Sequence, residues 1–315
     1  MPEWLYEAGI GESRAALVDD DRIIEAAIEL DGALRLGTVA RAKLVEVLPG
    51  RSGRLDLGGT ELLLPRVPAG ITQGATLTVE IVREALPEAG RAKPPRAVAV
   101  DPATPPADGP DLLARLTASG HPVRHVLAHQ PDALEAAGWS ELLDEATSGE
   151  IAFPLGSLRM SPTPAMTLFD VDGPPPLESL ALAAARAVAE AIRRHAVGGS
   201  IGIDFPTLAG KAPRLAVADM IDTHLPMPFE RTAVNGFGFL QIVRPRPRAS
   251  LPEGLRADPV GAAARAALRT MERVPVGAPR QHRLAAPVYA YLHARPAWLA
   301  ALARRTGVAP LLESA

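Results

Sequence analysis

The sequence predicts a soluble α+β chain in several parts: a small barrel of short strands near the start, a parallel βαβ unit beyond the middle, and a helical end. Three observations carry that expectation. Between 36 and 86, short alternating runs are punctuated by Pro49-Gly50, Gly58-Gly59 and the 68–70 turn, the spacing of a five-stranded OB-type barrel. AMTLFDVDG, PLESLALAAARAVAEAIRRHAV and GGSIGIDF read as strand, amphipathic helix and strand, and a right-handed crossover would make the strands parallel. Beyond 250, GAAARAALRTMERV and AWLAALARRTG read as helices around a short β-like stretch.

In chain order, SRAALVDDDRIIEAAIEL gives two β-compatible runs around Asp19-Asp20-Asp21, a hairpin within a larger sheet. The barrel follows over 36–86. Pro and Ala crowd the residues from 87 to 110 without sustained period, so 87–104 reads as a linker. DLLARLTASG and PDALEAAG read as short helices flanking the strand-like VRHVLA. Within 151–250, Gly198-Gly199 ends the long helix of the βαβ unit. A further helix, RLAVADMIDTHL, and an extended segment, TAVNGFGFLQIVR, complete that layer, and 251–315 forms the last unit.

Composition narrows the chemistry. With 315 residues, 47% hydrophobic and 22% charged, the chain can bury two or three cores. Cys is absent, which excludes disulfides, Cys-ligated zinc, iron–sulfur clusters and thiol nucleophiles, and suits the cytoplasm. MPEWLYEAG lacks the basic start and apolar run of a signal peptide, and no stretch approaches the ~18 apolar residues of a membrane span, so no membrane association is expected. The net charge of −3 argues against a polyanion partner, but it conceals a split: from Arg231 onward there are thirteen Arg and no Lys against four acids. A basic end suits phosphate binding. Solvated helix faces in a chain rich in Arg and Ala account for it equally well.

Two carboxylates hold equivalent places in the βαβ unit, Asp170 near the end of its first strand and Asp204 near the end of its second. Parallel strands present their carboxyl ends to one crevice, so both side chains can reach one site. Asp172 shares the face of Asp170 by strand alternation. Close carboxylates repel, and a divalent cation relieves them; Mg²⁺ takes oxygen ligands and commonly binds one or two carboxylates plus water and phosphate. Such a site suits a phosphate ester. The same residues serve equally as an Asp-rich turn before Gly173-Pro174 and a loop cap.

Arg231, Arg244, Arg246 and Arg248 bracket or follow the next strand, where guanidinium forks could hold phosphate or simply form a solvated edge. His121, His125 and His129 have i, i+4 spacing but span Pro122 and a strand, so no zinc site is expected. His195, at a helix end, reads as a partner of the helix dipole. Neither the P-loop spacing nor a nucleophile elbow occurs.

These segments together resemble the catalytic part of the ribonuclease E/G family, in order and almost end to end. ESRAALVDDDRIIEAAIE resembles that family's N-terminal strand pair, and VARAKLVEVLPGRSGRLDLGG the opening of its S1 domain. AMTLFDVDG with GGSIGIDF resembles its paired metal-site strands, NGFGFLQIVRPR the segment after them, and PVYAYLHARPAWLAALARRTGVAPLL its small subunit-pairing domain. The resemblance implies an RNase H-like portion (1–35 with 105–150) interrupted by an S1/OB-type barrel, a DNase I-like catalytic portion (151–250) and a small C-terminal α/β domain (251–315). It also implies endonucleolytic cleavage of single-stranded RNA to 5′-phosphate and 3′-hydroxyl ends. By that resemblance Asp170 and Asp204 bind Mg²⁺; beside it, Asp172 is expected to orient metal-bound water and Arg231, Arg244 or Arg246 to contact phosphate, and the similarity of the last segment to the small domain makes a homodimer possible.

Departures from the family pattern shape the expectation. The 5′-end sensor inserted after the S1 domain has no room here, and without Cys the zinc-linked tetramer is not expected. Residues 36–85 contain no Phe, Tyr or Trp, so the barrel lacks the aromatics that grip RNA bases. Asp172 stands where the family has Asn, Thr207 where a further acid is usual, and Arg231 is the stand-in for the family's Arg before the later strand. These changes leave an alternative: a degenerate relative that binds RNA or a protein partner without cleavage.

Overall fold

The computed structural model describes residues 1–88, 92–275 and 277–315. Its first three strands, β1 (Glu3–Ala8), β2 (Glu12–Asp19) and β3 (Arg22–Leu30), form an antiparallel meander. The Asp-rich turn lies where expected. Asp20 and Asp21 take φ of 47° and 60°, the left-handed region that a short polar side chain tolerates in a tight hairpin.

The barrel closes with β4 (Val39–Val47), β5 (Gly53–Leu57), β6 (Thr60–Leu64), β7 (Thr76–Arg83) and β8 (Arg96–Ala99), in the order β4-β5-β6-β8-β7. Alternate residues fill its interior, among them Leu44, Leu55, Leu62, Val79 and Ile81. Only four of these strands fall within 36–86. The fifth, β8, lies in the stretch expected to be a linker, because pairing there removes the open edges of β6 and β7. Its four residues, behind Pro94-Pro95, are too short a run to stand out as a strand signal.

Helix α1 (Leu112–Ala118), N-capped by Asp111, leads into β9 (Val123–His125), which runs parallel to β1 and completes a sheet ordered β3-β2-β1-β9. Short α2 (Ala133–Ala136) is followed by α3 (Trp139–Ser148), a second helix where the sequence suggested one. The hairpin of β10 (Glu150–Phe153) and β11 (Gly156–Pro162) was likewise not legible from periodicity.

The βαβ unit is β12 (Thr167–Asp172), α4 (Leu177–Arg194) and β13 (Gly199–Asp204), with parallel strands. Helix α5 (Lys211–His224), the two-residue β14 (Glu230–Arg231) and β15 (Phe239–Arg244) complete a six-stranded mixed sheet ordered β10-β11-β12-β13-β15-β14. Helix α4 buries Leu180, Ala184, Val188 and Ile192 against Phe169, Ile201, Ile203 and Leu240, and α5 adds Val217 and Ile221. Fully burying each large apolar side chain stabilises by about 1.5–3 kcal/mol. The small Ala side chains on α4 let helix and sheet approach closely. Both helices lie on one face of the sheet, leaving the other open.

The C-terminal unit holds α6 (Leu251–Ala257), α7 (Pro259–Glu272), β16 (Gln281–Leu284), α8 (Ala286–His293), α9 (Pro296–Thr306) and β17 (Leu311–Ser314), with β16 and β17 parallel. Between α7 and the first sheet lies a buried charge network. Glu12 accepts from Arg265 at 2.9 Å and from Arg269; Glu7 accepts from Arg14 at 2.5 Å and from Arg273 at 2.6 Å; Arg14 also reaches Asp132 at 2.8 Å. His195 differs from its expected role. It is fully buried with Nε2 at 3.1 Å from Glu145, and burial depresses its pKa, so it ties α4 to α3 instead of complementing a dipole at the surface. Among the described residues no helix is long and apolar enough to cross a membrane.

Candidate active site

The helix-free face of the second sheet brings the expected carboxylates together. Asp170 and Asp204 are register partners on the parallel strands β12 and β13, so their Cα atoms stand about 4.8 Å apart in the pairing direction. Phe169, Val171, Ile203 and Phe205 are buried on the helix side, which turns both aspartates to the open face. Both are exposed, as is Asp172 two residues further along β12. None of the three side chains has a hydrogen-bond or ion-pair partner among the described residues.

One row of side chains crosses the sheet through this pair: Glu150, Arg159, Asp170, Asp204 and Phe239 are successive register partners. Arg159 is tied to Glu150 at 2.7 Å, leaving the aspartate charges to each other. Two unit charges ~4 Å apart repel by about 1 kcal/mol in bulk water, and by more beside a protein surface. Their hard oxygens are the ligand type that a divalent cation such as Mg²⁺ or Ca²⁺ takes. Among the described residues no group of three or more His, Asp or Glu is gathered for a metal, so a cage made wholly of protein is not offered. His125 packs edge-on against Tyr6, 5.3 Å between ring centroids, on the other sheet.

The arginines go elsewhere. Arg231 faces the helix side of its edge strand and binds Asp222 of α5, Nε to Oδ1 at 2.7 Å. Arg244 lies five residues along β15 from Phe239, roughly 17 Å away, where burial lowers its pKa and it donates to the Val197 carbonyl. Arg246 binds Glu253 and lies over Gly199, at the opposite end of β13 from Asp204. Arg248 pairs with Glu84 of the barrel at 2.9 Å. Strand parity and distance keep all four from the carboxylate pair.

A different cation stands at the carboxyl end of the sheet. Arg214, in the first turns of α5, donates from Nε to the Gly210 carbonyl at 2.8 Å and has no acidic partner among the described residues. Its Nη1 lies 3.6 Å from the point where a side chain at Gly236 would begin. Lys211 opens the same helix, whose first turn has no acid. Cations oppose the dipole at a helix N-terminus, and that local conflict is the signal by which sequence reasoning could have found them.

Residues 235–238 form a pinned turn beside Asp204. Asn235 Oδ1 accepts from the backbone of Phe237 at 2.9 Å and of Phe239 at 3.0 Å, while Phe205 donates to the Gly238 carbonyl at 3.2 Å. Gly238 has φ of 95°, and a Cβ there would stand 2.2 Å from the Phe205 oxygen. The turn holds Phe237 outward, 84% exposed. The Phe239 ring lies over Gly202, where a Cβ would meet it at 2.7 Å and the Met166 sulfur at 2.9 Å. A groove of about 590 Å³ between α4 and β10 is on the helix side, and neither aspartate lines it.

No protein-family model and no curated protein matches this chain.

Proposed function

We propose that the chain is a Mg²⁺-dependent endoribonuclease related to the ribonuclease E/G family, cutting single-stranded RNA to leave 5′-phosphate and 3′-hydroxyl ends. The observation that carries this reading is the exposed, unpartnered pair Asp170 and Asp204, aligned on neighbouring parallel strands. In this reading the barrel is of S1 type, 1–35 with 105–150 is RNase H-like, 151–250 is DNase I-like, and 251–315 pairs two subunits.

Asp170 and Asp204 would hold the cation, whose positive charge would favour a phosphate at this face. When bound, Mg²⁺ lowers the pKa of a coordinated water and offsets charge on the phosphate. Asp172 accepts a hydrogen bond from the attacking water and so aims it. The water oxygen bonds to phosphorus and gives up a proton to solvent, the bond from phosphorus to the 3′ oxygen breaks, and that oxygen takes a proton from solvent and leaves as a hydroxyl. Arg214 and Lys211 supply positive charge beside a site otherwise negative.

Purified protein should cut an unstructured RNA only with Mg²⁺, and Asp170→Asn or Asp204→Asn should each abolish cutting. Full activity in both variants would refute the assignment. A second reading, RNA binding without cleavage, is favoured by one observation: Arg231, Arg244 and Arg246 all stand away from the carboxylates. Steeply salt-dependent RNA binding with no Mg²⁺-dependent cutting would select it.

A further inference from the structure

We propose that Phe237 and Arg214 together hold one nucleotide of a single strand: the base stacks on the Phe237 ring and its phosphate takes the Arg214 guanidinium. This rests on the nuclease reading and adds to it the element that sets which phosphate reaches Asp170 and Asp204. A single exposed apolar residue is ordinary, but this ring stands on a turn fixed by two bonds to Asn235 and one from Phe205. The backbone that carries the ring is ordered before any ligand arrives, which lowers the cost of stacking on it.

Charge complementarity selects the occupant. Arg214 lies against Gly236, the neighbour of Phe237, and is without an acidic partner among the described residues. A cation beside a free aromatic face matches the alternation of phosphate and base along a single strand. On the same side of β15, Gln241 carries an amide with no side-chain partner among the described residues, available to a base edge. A protein partner would need a contiguous apolar centre, whereas here Asp170, Asp204 and Arg214 interrupt the apolar surface.

The test measures binding of a fluorescein-labelled oligoadenylate to the full chain in EDTA, where nothing is cut. Phe237→Ala should weaken binding roughly 5- to 150-fold, the range expected for one stacked base. Phe237→Trp should preserve affinity, with its indole quenched on binding. Arg214→Ala should weaken binding and shallow the logarithmic salt dependence by about 0.7 for one lost phosphate contact. Replacing nucleotides in turn by abasic residues should reproduce the Phe237→Ala loss at one position only. Affinities within about two-fold of the parent for Phe237→Ala overturn the proposal, as does a change in self-association in place of RNA affinity. If the binding effects appear but Mg²⁺-dependent cutting does not, the nuclease reading falls and this nucleotide site stands. If cutting occurs with no Phe237 effect, only this proposal falls. Failure to bind RNA at low salt overturns both.

Discussion

Acidic side chains meet opposite fates in two regions of this molecule. Glu7 and Glu12 lie 3% exposed between the first sheet and α7, each bound by two arginines, whereas Asp170 and Asp204 stand exposed beside each other with no partner among the described residues. Burying charge is costly unless each group is paired, and the first region meets that condition: Arg14, Arg265, Arg269 and Arg273 answer Glu7, Glu12 and Asp132, with Arg14 also 5.0 Å above the Trp139 ring. Folding uses those charges up. On the open face the fold keeps two like charges adjacent and gives neither an ion-pair partner among the described residues, so a bound cation would gain from both. Acid content alone does not distinguish the regions; the distribution of partners does.

The largest effect should come from breaking the paired region. Glu12→Ala leaves Arg265 and Arg269 buried without their shared carboxylate and should cost about 3–5 kcal/mol in urea unfolding. A loss under about 1 kcal/mol would mean that water or neighbours compensate, and the contrast would dissolve.

Acid should loosen the paired region next. Burial raises the pKa of Asp132, but Arg14, the Glu135 backbone N–H and Arg273 outweigh it, so its net shift is downward; burial likewise depresses His195. A depressed folded pKa means that the unfolded chain binds the proton more readily, so stability falls as pH falls. His195 should contribute a loss beginning below about pH 6.5 and Asp132 a further one below about pH 3.9, the ordinary values in the unfolded chain. Stability followed by circular dichroism should lose the first step in His195→Gln. Persistence of that step would assign it to other groups.

The smallest effect should come from the open face. Asp204→Asn should leave stability without metal within about 0.5 kcal/mol of the parent. With Mg²⁺ at ten times its dissociation constant, the parent should gain about 1.4 kcal/mol, roughly 3 °C in melting temperature, and the variant should gain none. Equal shifts in both would place the cation elsewhere.

Much of the candidate site was legible because its logic is local. Hydrophobic residues at Phe169, Val171, Ile201 and Ile203 mark one face of each strand, and alternation then puts Asp170, Asp172 and Asp204 on the other. Arg244 and Arg231 were not placed correctly by nearness in sequence, since parity turns them to the helix side and five residues of strand carry Arg244 away. Phe237 passed unnoticed because nothing local distinguishes a buried Phe from an exposed one; the Asn235 turn and Gly238 decide it. Strand β8 was hidden for the converse reason, its pairing being supplied by β6 and β7.

By itself the sequence determined the helix and strand periods, the hairpin at Asp20-Asp21 and the shared face of the aspartates, because each depends on residues a few positions apart. Only the tertiary structure decided which charges are spent. The basic end of the chain suggested a phosphate-binding surface, yet Arg265, Arg269 and Arg273 reach back 253, 257 and 266 positions to Glu12 and Glu7. Ion pairing depends on distance in space, and a pattern read along the chain carries no measure of it.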